Sequence, residues 1–406
     1  MLPSIKTLYK IGPGPSSSHT IGPFKAASDF LKATLKLNSN PVRFTVTLFG
    51  SLAFTGKGHC TDKIIKSVLH KYKVEVKFDI DTKKLCPNMM EFTAFDADDK
   101  VICTQDYNSV GGGDVLKGNE YLIPHDDIYP FSNFLEMRQY MESNDMTVRD
   151  LILKFEGEDI LPFLKTVLNK MIEVVDIGLK TTGEVAGILH VKRMAKETFA
   201  EAMITEDKYI KIQLLLASYA YAANECNCAG EQVVTCPTCG ATGVLTSLMN
   251  YAKRNLDMSD DTMLDGLAMA GLIGLIVRTN ASISGAVAGC QAEIGTATSM
   301  AAGAMCIMDN LTMYHVEYAA EIAMEHSLGL TCDPVKGYVA IPCIERNVMG
   351  VLKAMDAYVL SKSLAKLRKN FISFDEAVEV MYESGLAMNE DYKETSKGGL
   401  AKVHIC

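Results

Sequence analysis

Apolar and polar residues alternate along several segments near the start of the chain. A period of two runs through residues 42–48 and again through 72–80. Segments 90–95 and 100–107 continue the pattern on either side of a turn-rich Asp and Ala stretch. Such alternation is typical of strands with one buried face. Helical spacing lies between them, so the pattern predicts a mixed domain with helices at 20–36 and 61–72.

The pattern changes to helical spacing after Pro124 and Pro130, which flank a stretch without periodicity. Proline and loss of period together indicate a boundary. Beyond it, apolar residues recur at helical spacing nearly to the end of the chain. The predicted helices are 132–155, 160–177, 206–223, 243–254, 260–278, 295–308, 315–327 and 345–368.

These patterns predict an α+β N-terminal domain followed by a large all-α domain. We place the α+β domain at 1–130, a linker helix at 131–158 and the all-α domain at 159–406. Two domains agree with a length of 406 residues, because single cores rarely grow that large.

Composition narrows the class of protein. Apolar residues make up 48% and charged residues 22%, the formal charge is −9, and no dense basic run occurs. Nucleic acid and anionic membranes both need a cationic face, so neither is an expected partner. The most apolar stretch, 266–277, is shorter than the roughly 18 residues of a membrane span, and we interpret it as a buried helix. The N-terminus lacks the pattern of a secretory signal, which favours the cytoplasm.

Two glycine-containing loops before predicted helices carry candidate chemistry. Ser16, Ser17, Ser18 and Thr20 surround His19, and hydroxyls before a helix N-terminus suit an anion. An N-cap with a flexible loop explains the same residues equally well. In the second loop, glycines flank His59 and allow a sharp turn beside the imidazole; no phosphate-loop pattern is present.

Twelve cysteines without a secretory signal are more typical of metal ligands, catalytic thiols or core residues than of disulfides. On spacing alone, the compact group of Cys226, Cys228, Cys236 and Cys239 is the strongest metal motif. Cys290, Cys332 and Cys343 are separated by 42 and 11 positions, which matches no compact site, and burial in the core is the simpler interpretation.

Several long motifs nevertheless make the chain similar to the iron–sulfur L-serine dehydratases, in the form with both domains on one polypeptide. The resemblance runs from about Ile11 to Cys406. It is carried by PSSSHTIGP, GSLAFTGKGH, SVGGG, PTCGATG, GCQAEIG, AMEHSLGLTCDPV, IPCIERN and YKETSKGGLA. Pyridoxal phosphate is not expected, since the lysine motif of the enzymes that use it is not evident.

The resemblance implies a [4Fe–4S] cluster held by Cys290, Cys332 and Cys343, with one iron left available. It also implies that the C-terminal Cys406 occupies the fourth position until substrate displaces it, and that the protein is a homodimer. The compact cysteines would then lie on a loop near the active site. A second metal bound by them stays open. Cys239 stands where relatives often carry asparagine, which puts in doubt the polar contacts made by the replaced side chain.

The implied reaction is the dehydration of L-serine through 2-aminoacrylate to pyruvate and ammonia. An open iron would act as a Lewis acid on the hydroxyl, and a histidine would remove the α-proton. We favour His59 as the base over His19, with Ser16, Ser17, Ser18 and Thr20 holding the substrate carboxylate. Three alternatives stay open: threonine or cysteine as substrate, an iron–sulfur sensor without turnover, and a structural protein with buried cysteines.

Overall fold

The computed structural model describes residues 1–37, 40–185, 187–367 and 369–403. Cys406, which the family resemblance makes the fourth cluster ligand, lies outside the described residues.

The described residues form ten strands, most of them in the N-terminal third of the chain. They are β1 (Leu2–Pro3), β2 (Ile11–Pro13), β3 (Arg43–Phe49), β4 (Lys73–Asp79), β5 (Met89–Phe95), β6 (Val101–Gly111), β7 (Asp114–Lys117), β8 (Glu120–Tyr121), β9 (Asp127–Tyr129) and β10 (Gln232–Val234).

Fifteen α-helices complete the described structure. Three belong to the N-terminal third: α1 (Ile21–Leu35), α2 (Ser51–Thr55) and α3 (Thr61–Val68). The others are α4 (Phe134–Ser143), α5 (Val148–Glu156), α6 (Ile160–Lys180), α7 (Ala195–Ile204), α8 (Lys208–Cys228), α9 (Thr242–Asn255), α10 (Asp260–Asn280), α11 (Gly285–Ala288), α12 (Thr296–Met308), α13 (Met313–Glu325), α14 (Cys343–Leu364) and α15 (Phe374–Ala387).

Six strands form one mixed sheet in the order β4-β3-β5-β6-β7-β8. Only β3 and β4 run parallel, and the other neighbours are antiparallel. The alternation seen in the sequence sets the buried face: Phe44 pairs with Ala94 and Val46 with Phe92, and all four are fully buried. Phe30 of α1 packs over this face, 5.4 Å from the ring of Phe92.

The larger core belongs to the helices. Helices α10 and α12 pack closely at its centre, with α8, α9, α13 and α14 around them. The Ala- and Gly-rich sequences permit this approach: a Cβ at Gly303 of α12 would lie 2.3 Å from Ile273 Cδ1 of α10. The predicted fold class, an α+β region followed by a large helical region, is confirmed.

The apolar stretch 266–277 is buried throughout, as predicted, and forms the middle of α10. This is the one helix among the described residues that is long and apolar enough to cross a membrane, and 78% of its most apolar window is buried inside the protein. This degree of burial identifies α10 as a helix of the protein core.

The first residues of the chain join the two regions. Leu2, Ile5 and Leu8 are buried in the large helical core. Strand β2 pairs antiparallel with β10, which follows α8 in the helical region. The chain therefore enters the helical core before it builds the sheet.

Three features differ from the predicted elements. The predicted helix 132–155 is two helices, because the chain turns at Asp145 (φ 51°) and α5 starts at a capping box between Thr147 and Asp150. Helix α3 ends at Val68, and a turn over residues 69–72, where the helix was predicted to continue, leads into β4. Strand β10 and helices α7 and α15 were not predicted, since their apolar stripes are short or interrupted.

Candidate active site

The hydroxyl-rich loop before α1 is folded back on itself and buried. The Ser16 carbonyl accepts hydrogen bonds from the His19 and Thr20 N–H groups at 3.0 and 2.8 Å. Thr20 Oγ1 donates to the Pro13 and Ser16 carbonyls, so its hydroxyl does not cap α1. Ser17 is 2% exposed, and Ser16 and Ser18 are nearly as buried. The interpretation as a flexible N-cap loop is therefore wrong.

Hydroxyl groups hold the His19 ring in place. Its Nδ1 lies 3.0 Å from Ser18 Oγ and 3.2 Å from Ser16 Oγ. Its Nε2 lies 2.9 Å from Thr55 Oγ1, at the end of α2. The loop before α1 and helix α2 thus clamp one imidazole from both sides.

His59 sits in the turn between α2 and α3, directly beside His19. The two rings meet edge to face, with centroids 4.2 Å apart. Close packing requires a glycine at position 58, just before His59. A Cβ at Gly58 would lie 2.1 Å from the carbonyl oxygen of Gly337. His59 Nε2 is buried and has no hydrogen-bond partner among the described residues. A buried nitrogen without a partner is costly unless it serves another purpose.

Burial keeps both imidazoles neutral. It lowers the pKa of His19 to about 3. It lowers the pKa of His59 well below the ordinary value, and the nearby His19 adds to this effect. Each neutral imidazole therefore keeps one ring nitrogen as a hydrogen-bond acceptor.

The sequence interpretation missed a third group, the buried carboxyl of Glu394. Its Oε1 lies 3.7 Å from His19 Nδ1 and 3.8 Å from His59 Nδ1. Burial raises the pKa of Glu394 well above its ordinary value, and Glu293 and Cys290 add to the effect. Since these distances exceed a hydrogen bond and burial favours the neutral forms, we interpret the contacts as neutral rather than as ion pairs.

Glu394 reaches this position because the C-terminal segment runs along a cysteine-bearing loop. The Cys332 N–H donates to the Tyr392 carbonyl and the Glu394 N–H to the Cys332 carbonyl, both at 2.7 Å. Ser51 Oγ donates to the Glu394 carbonyl at 2.9 Å. Glu394 itself has φ 58°, an unfavourable conformation for a side-chain-bearing residue. In the sequence, Glu394 could have been identified because it belongs to the YKETSKGGLA motif.

The three dispersed cysteines come together in the fold. Cys290 precedes the π-helical turn Gln291–Gly295, Cys332 follows α13, and Cys343 begins α14. All three line one cavity, together with Ser16, His59 and Glu394. The Sγ atoms of Cys290 and Cys332 and a carboxylate oxygen of Glu293 lie within 4.8 Å of one another.

The electrostatics around these thiols favour one thiolate. A hydrogen bond with Cys332 lowers the pKa of Cys290 against the effect of burial, and Arg346 lowers it further. Arg346 is fixed by the Thr331 carbonyl and by Asp333 Oδ1, the latter at 3.0 Å. Burial raises the pKa of Glu293 to about 7.

This donor set fits an iron–sulfur cluster. Iron–sulfur clusters are held by cysteine thiolates, and three cysteines converge here on a buried cavity. Space for a group at this point depends on a glycine: a Cβ at Gly285 would lie 2.6 Å from Glu293 Oε2 and 3.1 Å from Cys332 Sγ. Cys290, Cys332 and Cys343 are the residues that would hold the cluster.

The compact cysteine group does not converge. Each thiol points to a different backbone carbonyl: Cys226 to Val174, Cys228 to Val339, Cys236 to Val234 and Cys239 to Pro13. Burial raises the pKa of Cys226 and of Cys236 to about 12. In the described part of the chain these four thiols form no ligand group, and the spacing argument for a metal there is wrong.

Comparison with known proteins agrees with this picture. A family model described as serine dehydratase alpha chain matches residues 109–401, and one described as serine dehydratase beta chain matches residues 4–85. The chain is 37% identical to an L-serine dehydratase of Helicobacter pylori and 34% identical to L-serine dehydratase 2 of Escherichia coli, over 99% of each chain in both cases. An L-serine dehydratase of Streptomyces coelicolor is 35% identical over 98% of each chain. The chain therefore belongs to the serine dehydratase family, in the form that carries both domains on one polypeptide.

Proposed function

We propose that this protein is an L-serine ammonia-lyase that dehydrates L-serine through 2-aminoacrylate to pyruvate and ammonia. The observation that carries the proposal is the meeting of Cys290, Cys332 and Cys343 with His59 and Ser16 around one buried cavity. Its walls come from both regions of the chain, and full-length relatives named L-serine dehydratase share this architecture in sequence.

A [4Fe–4S] cluster on the three cysteines would supply a Lewis acid for the departing hydroxyl. The remaining work belongs to the side chains. His59 is neutral, buried and has a free Nε2 among the described residues, so it is the proposed base for the α-proton. His19, clamped by Ser18 and Thr55, fixes the orientation of the His59 ring.

The substrate carboxylate is assigned to the loop that carries Ser16, Ser17, Ser18 and Thr20, before the N-terminus of α1. Ser16 lines the cavity directly, while the hydroxyls of Ser18 and Thr20 support the loop that presents it. A helix N-terminus favours negative charge, which agrees with this assignment. Burial of the surrounding groups excludes water from the reacting atoms.

Cys406 remains the proposed fourth ligand, displaced by substrate. The described C-terminal segment supports this, since Leu400 N–H donates to Asp333 Oδ2 at 2.8 Å, next to Cys332. We further propose a cytoplasmic homodimer acting on a small molecule, without nucleic-acid or membrane partners. The net charge of −9 disfavours nucleic-acid and anionic-membrane partners, and the reducing conditions that free thiolates need support the cytoplasm.

The direct test is protein purified without oxygen, assayed for iron and for pyruvate formed from L-serine. We expect pyruvate and a protein with bound iron, with L-threonine and L-cysteine turned over more slowly. The matched control is His59→Asn, which leaves the cysteines intact. Iron without pyruvate in the unmodified protein would favour a sensor, and a protein unable to bind iron would refute the cluster.

A further inference from the structure

A second cleft opens away from the cysteine cavity and shares no lining residue with it. It measures about 690 Å³ and lies where β2, α1, α3 and the loop before β9 meet. Three lysine side chains line it, from Lys6, Lys10 and Lys25, together with the imidazole of His125. We propose that this cleft binds a phosphate monoester with an aromatic or aliphatic body.

Positive charge at the base of the cleft exceeds negative charge. Asp114, 5% exposed, receives Lys10 Nζ at 2.7 Å, Arg278 at 3.4 Å and Lys25 Nζ at 3.8 Å. Within the described ranges, none of these three cations makes an ion pair with a second carboxylate. Three cationic side chains therefore share one carboxylate, which leaves an excess of positive charge when Lys10 is protonated. His125 Nε2 lies 3.5 Å from the same carboxylate. A phosphate monoester carries nearly two negative charges at neutral pH.

Burial and the neighbouring cations both act on the Lys10 ammonium group. Burial lowers the pKa of Lys10 to about 8, against the attraction of Asp114, and the charges of Lys25 and Arg278 lower it further. An anion beside these groups would relieve the repulsion.

The ammonium groups keep donors available for a ligand. Lys10 Nζ donates to the Gly112 carbonyl and to Asp114, and Lys25 Nζ donates to the Gly113 carbonyl. Each ammonium has three N–H donors, so at least one on each remains. Lysine is a common phosphate ligand because it presents a compact positive charge.

The rest of the cleft is largely apolar. This lining determines the chemistry of the part of the ligand that lies beyond its anionic group. Ile11, Phe24 and Ile123 line it and are 44%, 49% and 54% exposed. Large apolar side chains exposed together beside cations suit a ligand with an apolar body and an anionic end.

Strand β2 connects the cleft to the cysteine cavity. Lys10 precedes β2, its N–H donates to Thr235 Oγ1 at 2.9 Å, and its carbonyl accepts the Thr235 N–H at 2.9 Å. Ser16 and His19 follow β2 closely in the chain. A ligand on Lys10 would therefore contact the strand that leads into the proposed active site.

Isothermal titration calorimetry on the full chain tests the proposal, with phenyl phosphate, inorganic phosphate and benzoate at constant ionic strength. We expect saturable binding of phenyl phosphate, about tenfold tighter than inorganic phosphate or benzoate, because only phenyl phosphate offers both the dianion and the ring. Binding of benzoate as tight as that of phenyl phosphate would overturn the assignment to a dianion. Absence of saturable heat would show that the cations only join the two regions.

Substitutions locate the binding. Lys25→Met should weaken phenyl phosphate about tenfold, since it removes a charge-assisted hydrogen bond. The matched control is Lys32→Met, an exposed lysine on the same helix outside the cleft, which should leave binding unchanged. Phe24→Ala should weaken phenyl phosphate and leave inorganic phosphate unaffected. Equal weakening by both lysine variants would contradict a site in this cleft.

Discussion

Two groups of cysteines in the helical region contrast with each other. One is close in sequence but does not converge in space, and the other is dispersed in sequence but converges. The compact group at 226–239 has the spacing of a metal site, yet each thiol points to its own carbonyl. The dispersed group spans more than fifty residues, yet its three members line one cavity. Ligand spacing identifies a site only when a short loop wraps the metal. Where helices build the site, packing brings the ligands together.

The sharpest way to break this comparison is to remove one thiol from each group. Cys332→Ser should lower pyruvate formation by more than about 10⁴-fold, because a Lewis acid contributes several kcal/mol to such a reaction. Cys239→Ser is the matched control and should retain activity within about threefold, since a buried hydroxyl can replace the thiol near Pro13. Comparable losses from both variants would remove the distinction between the groups.

The second prediction separates the cluster from the base. His59→Asn should lower turnover about a thousandfold, within the range typical of general-base catalysis. Iron content and visible absorbance should stay as in the unmodified protein, because His59 holds no cluster ligand in place. Activity close to normal would refute the role of His59.

The third prediction concerns the carboxyl that the sequence interpretation missed. Glu394→Gln should lower kcat about tenfold while iron content is retained, because the change alters a carboxyl group that faces both imidazoles. Glu390→Gln is the control on the same segment, where the carboxylate is 81% exposed. An unchanged kcat for Glu394→Gln would show that the carboxyl only fills space.

The smallest expected effect is on stability. The folded pKa of His19 lies at about 3, below the ordinary value of 6.5, so the unfolded chain binds a proton first as the pH falls. Stability is therefore lost as the pH decreases from about 6.5 toward 3, and His19 should account for about 2 kcal/mol between pH 6.5 and 5.

Urea unfolding of the unmodified protein and of His19→Asn at both pH values measures this contribution. Glu293 and Glu394 act in the opposite direction, because their raised pKa values make the folded state bind protons first. Only the difference between the two proteins therefore isolates His19. Equal pH dependence in both would show that the His19 ring is protonated readily in the fold.

The pattern of apolar residues predicted most of the fold, because the elements of both cores carry regular or continuous apolar positions. Phe44 and Val46 alternate on β3, and the apolar run in α10 is continuous. Strand β10 was not predicted, since its partner β2 is more than two hundred residues away. Pairing between such distant segments produces no local sequence pattern.

The site was predictable only in part. His19 and His59 stood out because glycines and hydroxyls surround them, and the structure places their rings in contact. Glu394 did not, since a glutamate in a polar C-terminal segment has the composition of an exposed residue. The cysteines needed the motifs of a family, because no spacing rule describes ligands that come from a π-helical turn, a loop and the start of a helix.

Iron and sulfide counts on two multiple variants, purified without oxygen, test the central claim most directly. One variant replaces Cys226, Cys228, Cys236 and Cys239 with serine, and the other replaces Cys290, Cys332 and Cys343. On this assignment of the ligands, we expect about four irons per chain in the first variant, as in the unmodified protein, and none in the second. Iron retained by the second variant and lost from the first would contradict it.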